Sequence, residues 1–208
     1  MPVPPRTRTR TGPPDTPATT AAGCRTLGHV ATPASGELLD AVRTLLSALS
    51  DERFVHTACE PVPEPSPGPV PPPPADPAEL LAGDVLHRLV LRVDQEWSSP
   101  ADRREPLPTA RETVAALTKV RGHPADELVT RLSVRGLVWG DRLRNVRRAR
   151  GDAHALVTLL GPDAVWFTTF DAGSADALGT SVTRQTFDGA VAGVGAGLVA
   201  VLLQVGED

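Results

Sequence analysis

The 208-residue chain contains no isoleucine and no tyrosine, one lysine (Lys119) and one asparagine (Asn145). It has two cysteines, Cys24 and Cys59, far apart and without C-x-x-C or zinc-ligand spacing. A disulfide framework and a thiolate metal site are thereby excluded as organising features, and two inert thiols are expected. The single lysine follows Thr118, so no G-x-x-x-x-G-K-[ST] phosphate loop exists. G-x-S-x-G, H-E-x-x-H and D-F-G are also missing. Gly193-Val194-Gly195-Ala196-Gly197 has its third glycine one place too early for a dinucleotide fingerprint and reads as a packing feature. No catalytic residue, cofactor or metal is assigned from these patterns. The N-terminal MPVPPRTRTRTGPP has no apolar core behind its charges, so it does not read as a secretory signal, and a cytoplasmic location is expected.

Arginine stands in for lysine almost everywhere, a bias expected of GC-rich coding sequence. The positions of the arginines are therefore more informative than their being arginines. Those positions are strongly sorted. Residues 103–150 carry twelve basic side chains against five carboxylates, a net +7 in a chain whose total is −4. The flanking blocks 37–102 and 151–208 carry −8 and −6. A basic island in a mildly acidic protein points to an anionic partner; its bland counterpart is a solvated face that pairs with the acidic flanks.

Residues 1–35 are rich in Pro, Thr, Ala and Arg, lack apolar periodicity, and are expected to form a disordered arm. Leu38, Leu39, Val42, Leu45, Leu46 and Leu49 make one helical stripe, and an amphipathic helix is placed at 36–59 with Phe54 and Val55 as a short extension. PVPEPSPGPVPPPPADP at 61–77 reads as a stiff spacer, so 60–77 is taken as a linker and 78–208 as one globular domain. A proline-recognition ligand is the functional alternative for the spacer.

Within that domain Asp76 and Pro77 suit the start of a helix reaching Trp97. Thr109 and Glu112 form a capping box for a second, and a third carries Leu128, Val129 and Leu132 before Gly136. Residues 142–151 read as a short helix or a basic loop. HALVTLL (154–160) and AVWFTTF (164–170) flank Gly161-Pro162-Asp163 and read as a β-hairpin. The apolar run 189–205 has Gly189, Gly193 and Gly197 at four-residue spacing. A buried helix is the first reading, a strand over LVAVLLQV the second and a membrane tail anchor the third. The fold expected is α+β: a helical portion, a hairpin and a C-terminal apolar helix or strand. His29, His56, His87, His123 and His154 are scattered; Asp152, His154, Asp163, Asp171 and Asp176 fall near the expected hairpin and would matter only if one pocket gathered them.

Leu107-Pro108-Thr109, Arg111-Glu112, Leu117, Arg121, Leu128, Leu132 and Gly136-Leu137-Val138 resemble the DNA-binding half of GntR-type regulators, with the helix at 79–97 matching that family's first helix. The resemblance spans residues 79–170 at most and rests mainly on caps and core positions. The chain departs from the pattern by one extra residue between Arg121 and Gly136. It also departs by Asp126 and Glu127 at the start of the would-be recognition helix, and by an arginine run where a Gly-rich wing would be. The resemblance implies a winged helix-turn-helix in a small bacterial regulator that binds duplex DNA. Arg111, Arg121 and Arg131 are then contact candidates, with Arg142, Arg144, Arg147, Arg148 and Arg150 attracting phosphate. The alternatives are a non-catalytic adaptor that recruits a protein partner through residues 1–77, and an enzyme of unassigned chemistry. A membrane partner is not expected.

Overall fold

A computed structural model of the chain describes residues 36–50, 53–64, 76–97, 106–122, 124–137, 143–171 and 179–206. The expected arm, most of the Pro-rich spacer, His123, Arg142 and Asp176 lie outside the described residues.

The leucine stripe does fold as α1, Gly36–Leu49, but the helix ends there; Val55–Pro61 is a strand, β1. This corrects the expected helix at 36–59 and its separation from the globular domain. β1 pairs antiparallel with the C-terminal strand β5, Leu198–Gly206, and Val42, Leu46 and Leu49 of α1 are buried in the main core. An adaptor that offers α1 as an exposed apolar helix loses its carrying feature, because the core already covers that stripe.

α2 spans Pro77–Trp97. As expected, Asp76 caps it, its Oδ1 accepting from the Ala78 N–H at 3.0 Å. α3, Ala110–Ala116, begins at a complete capping box: Thr109 accepts from the Glu112 N–H and the Glu112 carboxylate accepts from the Thr109 N–H. The backbone N–H and the hydroxyl of Thr109, in that order, hold the Glu112 carboxyl below the usual range. A two-residue strand, β2 at Thr118–Lys119, separates α3 from α4, Ala125–Val134. Lys119 Nζ lies 3.1 Å from Asp76 Oδ2, and this contact lowers the Asp76 pKa.

The basic stretch from Val146 onward and the segment after it form one helix, α5, Val146–Leu160. The hairpin expected at 154–170 is therefore corrected: only Val165–Thr168 is a strand, β3. Ala149, Ala153, Leu156 and Leu160 recur at helical spacing on the buried side of α5. Asn145 starts the helix, its side chain accepting from the N–H groups of Arg147 and Arg148 at 2.9 and 3.2 Å.

The C-terminal run is neither a helix nor a tail anchor. It is a β-hairpin of β4, Phe187–Gly195, and β5, joined through Ala196 and Gly197 with φ of 47° and 73°. Two consecutive positive φ values define the turn whose twist matches flanking strands. No described helix is long and apolar enough to cross a membrane.

The sheet order is β1-β5-β4-β3-β2, with every pairing antiparallel. Alternation along β5 sends Leu198, Ala200 and Leu202 to a core shared with α1, α4 and α5. Val199, Val201 and Leu203 go to a second core shared with α2 and the end of α3. The fold is α+β with helices on both faces of an antiparallel sheet. Gly193 makes room on the first face: a Cβ there would stand 2.7 Å from the Trp166 ring. α3 and α4 thus bury their apolar residues on opposite faces, with the edge strand β2 between them.

Candidate nucleic-acid interface

Five arginines of the basic segment lie where α4 meets α5: Arg135, Arg147, Arg148 and Arg150 are exposed and Arg131 is half-buried. Burial of Leu128, Val129 and Leu132 turns Arg131 toward the rim of the layer, and Arg135 follows one turn later. Burial of Ala149 and Ala153 leaves Arg147, Arg148 and Arg150 exposed on α5. Between the helices runs a cleft of about 800 Å³ lined by Glu127, Thr130, Arg131, Val134, Arg135, Val146 and Arg150. Its volume lies within the range of small-ligand sites, about 300–1,000 Å³. Glu127 is the one carboxylate on that lining among the described residues. The Arg131 guanidinium sits 5.4 Å from the centroid of the Phe170 ring, a geometry that holds it over an aromatic face.

The charge of α5 is unusual for a helix start. Its first turn holds no acidic residue and carries Arg147 and Arg148. A helix N-terminus is the positive end of the macrodipole, so each such cation opposes folding by about 0.3–1 kcal/mol. Arg148 is exposed and faces the part-buried Asp152 at 3.9 Å, too far for a hydrogen bond.

The other contact candidates among the described residues, Arg111, Arg121 and Arg144, go elsewhere. Arg144 is a structural fastener: Nε donates to the Ser133 carbonyl at 2.7 Å, Nη2 to the Ser50 carbonyl at 2.6 Å, and Nη1 to the Ala48 carbonyl. Its donors are turned into the protein, which corrects its expected role in attracting phosphate. Arg111 lies on α3, across the sheet from α4 and α5, and Arg121 follows β2 at the sheet edge. Of the eight arginines proposed from the sequence, the structure brings Arg131, Arg147, Arg148 and Arg150 into the α4–α5 layer. It adds Arg135, whose signal was its four-residue spacing from Arg131.

The acidic and histidine residues near the expected hairpin form no joint site among the described residues. His154 Nδ1 lies 3.3 Å from Asp126 Oδ2 on α4, and Asp163 and Asp171 are exposed. His87 Nδ1 lies 3.4 Å from the Thr113 hydroxyl and joins α2 to α3. Among the described residues no group of three His, Cys, Asp or Glu side chains could hold a metal ion. No protein-family model, curated protein or solved structure significantly matches the chain.

Proposed function

We propose that this chain is a small, non-catalytic regulatory protein that binds the phosphate backbone of duplex DNA along its α4–α5 layer. The observation that carries the reading is the presence of five arginines on two adjacent helices: Arg131, Arg135 and Arg150 line one cleft, and Arg147 and Arg148 lie exposed in the first turn of α5, against Asp126, Glu127 and Asp152 on the same helices. The placement of Arg147 and Arg148 in the first turn of α5, where no acidic residue accompanies them, adds to it, since a local rule broken at a stability cost is a mark of functional surface. Phosphate oxygens would neutralise both the arginines and the helix end.

The mode proposed is backbone attraction and not the recognition-helix mode of a winged helix-turn-helix. In that motif two helices pack against each other and present one of them to the major groove. Here α3 and α4 contribute to separate cores, and Asp126 and Glu127 stand at the start of α4.

The test is fluorescence anisotropy of mixed-sequence duplex DNA against the full chain over a range of salt concentrations. Affinity should fall steeply with salt, each phosphate neutralised contributing a slope of about 0.9 in log K against log salt. Replacing Arg147, Arg148 and Arg150 with Ala should remove most of the binding. Absence of binding to any fragment at low salt ends the proposal.

A further inference from the structure

The sheet has two ends, and they are not equivalent. At one, β2 is only two residues long. At the other, β1 runs for seven residues, long enough to template another strand.

The backbone register says which groups of β1 face outward. The Val205 N–H donates to the Phe54 carbonyl at 2.9 Å, and the Val62 N–H donates to the Gly197 carbonyl at 2.8 Å. Even-numbered residues between them therefore turn their backbone groups toward β5, and Thr57 and Cys59 turn theirs away. Arg92 agrees with this: its Nη2 donates to the Thr57 carbonyl at 2.8 Å from the outer side. Pro61 occupies an outward position too, so its missing N–H removes no ladder bond. The Thr57 N–H and both backbone polar groups of Cys59 meet no partner among the described residues.

A cleft of about 420 Å³ opens along this edge. Thr57, Cys59 and Glu60 form one side, with Arg43 and Ser47 from α1 and Arg92 from α2 around them. Glu60 is already held by the Arg88 guanidinium, with Nε to Oε1 at 3.2 Å and Nη2 to Oε2 completing the fork. The charge presented outward is consequently that of the exposed Arg43 and Arg92.

We propose that the outer edge of β1 is a strand-addition site for an extended acidic peptide. The peptide's backbone pairs with Thr57 and Cys59, and its carboxylates meet Arg43 and Arg92. Arg92 exchanges the Thr57 carbonyl for a peptide carboxylate as the peptide's own N–H takes its place. Main-chain pairing supplies affinity in this mode, and the two cations supply selectivity.

The probe is a fluorescein-labelled hexapeptide of alternating valine and glutamate, titrated with the full chain and followed by anisotropy. Saturable binding is expected. Methylating alternate peptide nitrogens, or replacing glutamate with lysine, should each weaken it by about tenfold or more, the scale of a lost charge-assisted bond. On the protein side, Arg43→Glu should do the same. Thr57→Pro deletes an outward N–H without touching the β1–β5 ladder, so it should weaken binding while leaving the circular dichroism unchanged. If that variant does not fold, the methylated probe asks the same question. Replacing Arg147, Arg148 and Arg150 with Ala should leave peptide binding intact, which separates this site from the α4–α5 layer. The proposal is overturned by no saturable binding, by equal binding of the methylated or lysine probes, or by loss of binding in that triple variant. A dimer by light scattering that the probe does not dissociate also overturns it, because a second copy would then be the occupant.

Discussion

Arg144 donates from Nη2 to the main-chain carbonyl of Ser50 at 2.6 Å, joining the approach to α5 to a residue 94 positions earlier in the chain. Its other nitrogens reach Ala48 and Ser133. Those three carbonyls belong to the C-terminal ends of α1 and α4, where helix carbonyls have no partner within the helix and a cation is favoured. Arg144→Ala should therefore destabilise the fold by about 2–4 kcal/mol in urea denaturation, since it strands several part-buried acceptors. Arg144→Lys should recover only part of this, because an ammonium cannot span the same fork. In either variant, the salt slope of DNA binding measured on the folded fraction should be unchanged.

Arg147 offers the opposite case. Arg147→Glu replaces a cation with an anion in the first turn of α5, and helix electrostatics predicts a gain of about 0.3–1 kcal/mol in stability. DNA affinity should fall in the same variant. Thermal melting and anisotropy on one preparation check the two signs together; a loss of stability would mark Arg147 as a structural residue.

Two glycines should respond in opposite directions to the same methyl group. A Cβ at Gly193 would lie 2.7 Å from the Trp166 ring, so Gly193→Ala should cost about 1–3 kcal/mol as the ring is pushed from its place. Gly151 lies inside α5, where an added methyl group would meet nothing within 4 Å, and Gly151→Ala should stabilise by about 0.5–1 kcal/mol. Melting temperatures of the two variants test the packing around β4 and the helical state of 146–160 together.

Burial raises the Cys59 thiol from an ordinary 9.0 to about 11. Iodoacetamide at pH 8 should modify the Cys59 peptide only after unfolding, as read by mass spectrometry. The linkage sign follows from the folded state holding the proton more tightly. Its contribution to stability is fully present below pH 9 and is lost as the pH rises from 9 toward 11. Cys59→Ala should flatten that alkaline decline.

Local signals in the chain are readable where short-range chemistry dominates. The leucine stripe of α1, the Asp76 cap of α2 and the Thr109–Glu112 box of α3 each involve residues a few positions apart, and all three are present in the fold. HALVTLL by itself reads as a strand at 154–160, and the fold contradicts it. With Ala149 and Ala153 added, its leucines complete a helical period that starts at the Asn145 cap. The run at 189–205 is ambiguous for a different reason. Its strands are covered by helices on both faces, so they carry continuous apolar residues and lack the alternation that marks a half-exposed strand.

The arginine layer is legible only in part. Charge sorting along the chain locates the basic segment, and Arg147, Arg148 and Arg150 are exposed within it. Nothing in the local pattern separates these from Arg144, because a guanidinium is spent or available according to which carbonyls the distant chain brings to it. Composition, caps and helical periodicity were determined by the sequence alone, since each depends on neighbours within a few residues. Tertiary structure alone decided that α1 and β1 belong to the core and that α3 and α4 lie on opposite faces. It also decided which cations remain outside. These outcomes are set by pairings between residues far apart in the chain, such as β1 with β5, whose energies no local window contains.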